Sequence, residues 1–476
     1  MLFQHLRNPR SAAAVAALLF LSACASAPPG AAPSSEPLIG SVVPARLDGA
    51  SGSATDEALP DTAATSWQHL IQDARLRAVV SLALAHNRDL RLAALNIDAA
   101  RAQYRITDAA RWPTVTAGLG GLVSRGSTAA GDSGDISRQL TASLAITSWE
   151  LDLWGRLGQL KDAALNRYLA TEAARDGVQS ALIAEVAQAW LTVQANQTLA
   201  ELVQQTVDSR KRSLDVTQRR YSAGALSGLD TAAAQAALET ALGDRASAQT
   251  SLTQSLNALR LLVGADVPTD LLPQADATAD SVALAAVPGG LSSEVLLQRP
   301  DVKADYRSVQ AALAEVGAAR AALLPTITLT AVTGSASQAL TELFSAGSGP
   351  WSLAPSLRLP LLDGGASSAN VEVAEVNRQI EFTTYERTVQ TAFKEVADAL
   401  AVREHLDARL QAQEKLVDAY QRSLLLTERQ YQAGSVNALI VLDAQRSLYA
   451  AQQGLIGLRL TEQANRLALY KALGGA

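Results

Sequence analysis

The chain has 476 residues, with 40 Lys and Arg against 46 Asp and Glu, for a formal charge of −6. A mildly acidic chain without a block of like charge is a poor ligand for nucleic acid. Its one cysteine, Cys24, excludes an intrachain disulfide framework, so a folded part of this size must be held by its own core.

Residues 1–23 read as an export signal. Arg7 and Arg10 precede an apolar stretch at 12–21 that is too short to span a membrane as a helix. The following Leu21-Ser22-Ala23-Cys24 resembles the lipobox of bacterial lipoproteins. That resemblance implies cleavage before Cys24 and a diacylglycerol on its thiol, and Ala25 in place of Asp implies sorting to the outer membrane. Cleavage there removes two arginines and no acid, taking the charge from −6 to −8. Residues 24–66, rich in Ala, Pro, Ser and Gly, read as the lipid anchor and a flexible tether.

The folded part is expected from Trp67 onward. Residues 73–110 have helical periodicity with a break at Asn87-Arg88-Asp89, where Asp89 is expected as the N-cap of the next helix. Pro113 ends the helix. Residues 114–123 then alternate, with Val115, Ala117 and Leu119 on one side and Thr114, Thr116 and Gly118 on the other. A Gly, Ser and Asp loop at 124–135 leads to a second alternating run at 139–152, giving a strand, a loop and a returning strand. From Gly155-Arg156 a helical run of about 65 residues extends to Arg220, roughly 97 Å at 1.5 Å per residue. It turns at 221–229 and returns through 230–262. A connector follows, and the second half repeats the first: a helix at 301–324, strands at 326–333 and 351–362, a long helix opened by Gly364-Gly365, and a return at 438–473.

The repeat is anchored by the two turns. Arg219–Gly224 reads R-R-Y-S-A-G and Arg429–Gly434 reads R-Q-Y-Q-A-G; the same offset pairs Tyr221 with Tyr431, Gln235 with Gln445 and Gly264 with Gly474. The expected organisation is therefore a first repeat at 67–264, a connector at 265–291 and a second repeat at 292–476. Strand pairs separated by very long helices are not the pattern of a βαβ enzyme.

The strand segments have the length and alternation of membrane-spanning β-strands. Trp112, Trp149, Trp154 and Trp351 lie at strand ends, where indole marks the membrane interface. Four strands cannot close a barrel, and an open edge in lipid leaves backbone groups unpaired. Three copies give twelve strands; two give eight, too narrow for a water-filled lumen. The competing reading is a soluble sheet packed on the helices. No catalytic constellation stands out. Gly131-Asp132-Ser133-Gly134 matches a short serine-protease string but lies in a polar loop, and His69, His86 and His405 are not spaced as metal ligands. No enzyme activity and no cofactor beyond the lipid on Cys24 is expected.

The repeat, the R-x-Y-x-A-G turns, the run Leu442-Asp443-Ala444-Gln445-Arg446 and the terminal Ala472-Leu473-Gly474-Gly475 resemble the TolC-like outer-membrane efflux proteins, nearest the lipidated branch that includes OprM and the NodT-type proteins. The resemblance covers nearly all of 67–476. It implies an α+β membrane protein: a homotrimer with a 12-stranded transmembrane β-barrel, four strands per chain, continued by a long periplasmic α-helical barrel. It also implies a membrane fusion protein and an inner-membrane transporter, often of the proton-driven RND type, as partners, with small solutes as cargo. By the same resemblance Leu439 forms a constricting apolar ring, Asp443 a ring of carboxylates, and Tyr431 and Arg446 hold the closed state. Arg219, Tyr221, Gly224, Arg429 and Gly434 serve turn geometry and adaptor docking. The first turn lacks the Leu-Asp-Ala-Gln-Arg run, which points to gate chemistry in the second hairpin only. A type I protein-secretion duct shares this architecture, and a non-channel coiled-coil periplasmic lipoprotein is the reading from a different class.

Overall fold

The computed structural model describes residues 67–127, 133–274, 293–344 and 349–475. The signal, Cys24, the tether, Gly131-Asp132 and most of the connector lie outside them. The elements are α1 (Trp67–Leu70), α2 (Ala74–His86), α3 (Arg88–Ala109), β1 (Val115–Ser127), β2 (Ser133–Glu150), α4 (Arg156–Ser222), α5 (Gly228–Val263), α6 (Pro300–Ala321), β3 (Thr326–Ser337), β4 (Trp351–Arg358), α7 (Ala366–Gln432) and α8 (Ala438–Ala472). Helices α4 and α7 have 67 residues each, about 100 Å of axis. Both begin after a left-handed glycine, Gly155 and Gly365. No helix among the described residues is long and apolar enough to cross a membrane.

The four strands form one antiparallel sheet in the order β1-β2-β3-β4. The first hairpin is longer than the alternation suggested: β1 and β2 run to 127 and from 133, so most of the expected loop is strand. Strand β4 is shorter, ending at Arg358, and carries Pro355. Proline donates no ladder hydrogen bond and is tolerated here because β4 is an edge.

The register puts most apolar residues of the four strands on one face, with Leu122 and Val332 among the exceptions. Ala117 pairs with Leu144, Leu144 with Thr333, and Thr333 with Trp351; Val115 pairs with Ile146, Ile146 with Ala331, and Ala331 with Leu353. The other face carries Thr116, Gly118, Thr141, Ser143, Thr328, Thr330, Ser352 and Ser356. A bulge in β2 keeps this sorting intact at its end. β2 has one more residue than β3 between the pairs Ile146–Ala331 and Trp149–Leu329, and the extra turn of chain holds Ser148 at φ 50° with its amide donating to Thr330 Oγ1 at 3.2 Å. Without it Trp149 would fall on the polar face; with it Trp149 joins Leu329 and Glu150 joins Thr328.

The sheet's apolar side chains are not covered by helices. Leu119 is 80% exposed and every residue of β4 is exposed, so a soluble sheet packed on its own helices is not what the chain forms. The tryptophans do not all mark one level. The Trp149 indole donates to Arg111 O and that of Trp154 to Pro325 O, which places these two, with Trp112, at the helix-proximal end. Trp351 opens β4 at the opposite end of its strand.

The helices next to the sheet form a layer in which α3 packs on α4, α4 on α6 and α6 on α7. The main core lies where α2 meets the middle of α4 and the end of α5, around Leu76, Val79, Val80, Ile183, Val186, Trp190 and Leu259. A second core joins α6, α7 and the end of α8 around Val302, Val389, Ala392 and Leu469. The repeat is visible in the contacts that close these cores. Asn87 and Arg299 have nearly the same backbone angles, φ −61° with ψ 135° and 136°. Asn87 Nδ2 donates to Leu262 O near the end of α5, and Arg299 Nη1 donates to Ala472 O at the end of α8.

The N-cap of α3 is Asn87 rather than Asp89, because Asn87 Oδ1 accepts from Leu90 N at 2.8 Å. An amide is needed there, since the same side chain must also donate to Leu262 O; a carboxylate has no donor. Asn87→Ala is expected to lower the unfolding free energy by about 1–3 kcal/mol, and Asn87→Asp, which keeps the cap but sets a buried carboxylate oxygen against Leu262 O, by no less. Chemical denaturation of the detergent-solubilised protein checks the order.

Candidate functional site

The two hairpin ends are built alike from equivalent residues. At the first, Ala223 N donates to Arg219 O, Gly224 N to Tyr221 O and Ala225 N to Arg220 O; at the second, Ala433 N donates to Arg429 O, Gly434 N to Tyr431 O and Ser435 N to Gln430 O. Gly224 and Gly434 have φ of 77° and 78°, the left-handed region where glycine carries no Cβ penalty. The returning helices are capped by Ser227 and Asn437, also 210 positions apart. Ser227 and Asp230 form a reciprocal capping box, and the Ser227 hydroxyl and amide hold the Asp230 carboxyl below its ordinary range. These caps were not singled out in the sequence, although S-x-x-D is a readable capping pattern. Arg219 pairs with Asp215 one turn back on α4, and Tyr221 is half exposed. Arg429 lies in the last turn of α7.

The proposed gate residues lie on the second hairpin near its end. Leu439 is the second residue of α8 and is 46% exposed. Asp443 and Arg446 sit one turn apart on the same helix, with Arg446 Nη2 donating to Asp443 Oδ1 at 2.5 Å. Asp443 therefore carries its own counter-charge, and the mutual repulsion of carboxylates brought close together is reduced accordingly. Both side chains are well exposed.

The second hairpin does not stand alone. The Arg220 guanidinium at the end of α4 lies over the Tyr431 ring, 4.6 Å from its centre, while the Tyr431 hydroxyl is buried without a hydrogen-bond partner among the described residues. Arg210 of α4 donates to the Gln445 side-chain oxygen of α8, and Tyr449 of α8 donates to Asp244 Oδ2 of α5 at 3.4 Å. Arg210 is buried, and burial lowers its pKa; burial and the charge of Asp244 push the Tyr449 phenol up to about 12. Between the hairpins is a groove of about 390 Å³ that Arg210, Asp244, Leu439, Asp443, Arg446 and Tyr449 line. Three polar or cation–π contacts thus cross from one hairpin to the other beside Leu439 and Asp443. Arg210 and Arg220 were not legible as site residues, because their partners lie more than 200 positions away.

Comparisons with known proteins agree on one relationship. The family model of outer membrane efflux proteins matches residues 79–265 and 291–475. The chain is 41% identical over 426 residues, 89% of its own length and 87% of the relative's, to the probable efflux pump outer membrane protein TtgC of Pseudomonas putida. It is 38% identical over 413 residues, 86% of this chain and 88% of the other, to the cation efflux system protein CusC of Escherichia coli. Among solved structures, the open state of the MtrE outer membrane channel of Neisseria gonorrhoeae superposes with a TM-score of 0.79 at 38% identity, covering 86% of this chain and 91% of that one. With its doubled unit matched in both halves and its sheet and long helices in place, the chain belongs to the outer membrane efflux protein family.

Proposed function

We propose that this outer-membrane protein is the exit duct of a tripartite efflux system, passively releasing drugs or other small solutes. An inner-membrane pump of the RND type and a periplasmic membrane fusion protein deliver them, and the duct itself performs no catalysis. The chain acts as a homotrimer, tethered by lipid on Cys24, with four strands from each copy in a 12-stranded barrel and the helices continuing it into the periplasm.

The observation that carries the reading is the coincidence of free edges. In the sheet the unpaired edges are β1 and β4; in the helix layer below it the end members are α3 and α7. Chain connectivity puts β1 with α3 on one side and β4 with α7 on the other. Both helices leave apolar side chains about half exposed: Leu92, Leu95 and Ile106 on α3, and Val373, Val376 and Ile380 on α7. A second copy placed with its β1–α3 side against this β4–α7 side covers both edges at once. Such head-to-tail contacts close into a ring. Three copies supply an even number of strands inside the range of known barrels, whereas an open edge in lipid costs several kcal/mol per unpaired group. The apolar face then meets lipid and the Thr, Ser and Gly face lines the lumen.

The lower hairpins form the gate, with Leu439 and Asp443 at the constriction. Tyr431 and Arg446 are its holding residues, and the tips Arg219, Tyr221, Gly224, Arg429 and Gly434 face the fusion protein. Single-channel recording of the purified protein in planar bilayers tests the reading. Conductance that rises when the gate residues are substituted supports it; no conductance even then counts against a duct. In the same experiment Asp443→Ala is expected to weaken block by divalent cations, and unchanged block removes Asp443 from the gate.

A further inference from the structure

The paired positions of the polar sheet face hold almost no charge. From Gln139 to Ala145 on β2, along β1, and over β3 and β4, that face consists of Thr, Ser, Gly, Gln, Ala and a few aliphatic residues. The exceptions are Glu150, level with Thr328 and Ser356, and Arg358, level with Thr326. Both lie at the end of the sheet nearest the helices. They are not electrostatically equivalent. Glu150 is joined to Arg156 through two hydrogen bonds, at 2.9 and 2.6 Å, so that pair is neutral. Arg358 is exposed, and its guanidinium has no ion-pair or hydrogen-bond partner among the described residues. Each chain therefore presents one net positive charge on the polar face at this level.

We infer that Arg358 is a selectivity-determining residue of the duct. Three copies place three guanidinium groups in a ring at the junction of barrel and helical tunnel, giving that mouth a preference for anions. This rests on the trimeric duct reading, which puts the polar face inward. A ring of fixed charge raises the local concentration of the opposite ion. Its reach is the Debye length, about 30 Å at 0.01 M salt and about 3 Å at 1 M, so the effect belongs to low ionic strength. The Asp443–Arg446 pair, at the far end of α7 and the start of α8, is a second charged station on the proposed path, and it is locally balanced.

The test is the reversal potential of purified protein in planar bilayers under a KCl gradient. It is recorded in a shared Asp443→Ala, Arg446→Ala background, which relaxes the gate and removes its charges. Arg358→Gln and Arg358→Glu are expected to move the reversal potential stepwise toward cation preference at about 0.01 M salt, with the difference vanishing near 1 M. Arg358→Cys is expected to change conductance when a charged, membrane-impermeant thiol reagent is added. Conducting channels whose reversal potentials do not depend on residue 358, or an Arg358→Cys variant that the aqueous reagent does not modify, overturn the inference while leaving the duct standing. Absence of conductance from every purified variant overturns the duct and this inference together.

Discussion

Gly264→Ala is expected to lower the unfolding free energy by about 2–4 kcal/mol, whereas Gly224→Ala, with almost the same backbone, loses about 1 kcal/mol. Both glycines end a helix in the left-handed region, at φ 73° and 77°, so the intrinsic Cβ penalty is shared. Their surroundings differ. A Cβ on Gly224 meets nothing within 4 Å, but one on Gly264 falls 2.5 Å from His86 O and 3.0 Å from His86 C. Those are backbone atoms at the junction of α2 and α3, which the Asn87–Leu262 hydrogen bond already holds against the end of α5. They cannot rotate away as a side chain would, so either the bond or the core beneath it must give. Denaturation of the two variants in detergent checks this. Equal losses would mean that backbone conformation alone sets the cost and that the close approach is slack.

Arg299→Met is expected to cost about 2–3 kcal/mol. The guanidinium is 6% exposed and donates to Asp301, Ala472 O and, through Nη2, to Glu395 at 2.8 Å. It ties the start of α6 to the end of α8 and to α7. Methionine fills the space but leaves the Ala472 carbonyl without its donor and two carboxylates unpaired. Because those carboxylates are nearly half exposed, water screens part of the loss and the full cost of breaking a buried pair is not reached. The pH dependence follows from the sign. Burial raises the Asp301 pKa, but the hydrogen bond and charge of Arg299 outweigh it and hold the folded value below the ordinary one. A depressed carboxylate contributes stability that is present above its unfolded pKa and lost as pH falls through the folded one. The native protein should therefore lose this contribution on acidification below about pH 4, and Arg299→Met should show a flatter acid limb. An unchanged acid limb in the variant would place the acid sensitivity elsewhere.

Much of this architecture could be read from residues because it is written twice. The 210-residue offset between the R-x-Y-x-A-G turns, and the glycines at 155, 264 and 474, are local requirements of backbone geometry, and the structure places each at a helix terminus. Alternation gave the strands and their faces. What escaped was set by partners distant in sequence. Asp89 looked like a cap by type, yet Asn87 has the role because Leu262 O needs a donor. The Ser, Gly and Asp stretch at 124–135 looked like loop, yet cross-strand pairing carries β1 to Ser127. Trp149 reaches the apolar face only through a bulge that alternation alone does not reveal. Arg210 and Arg220 carry no local signal, since nothing near them in the sequence shows that α8 or Tyr431 will pack against them.

In the proposed duct one chain is an unfinished wall that copies complete. Sedimentation analysis of the purified, detergent-solubilised protein, with the detergent contribution matched out, counts the chains in the folded particle. Three chains are expected at all dilutions at which the protein remains folded. A stably folded particle of one chain, with β1 and β4 both unpaired, would contradict it.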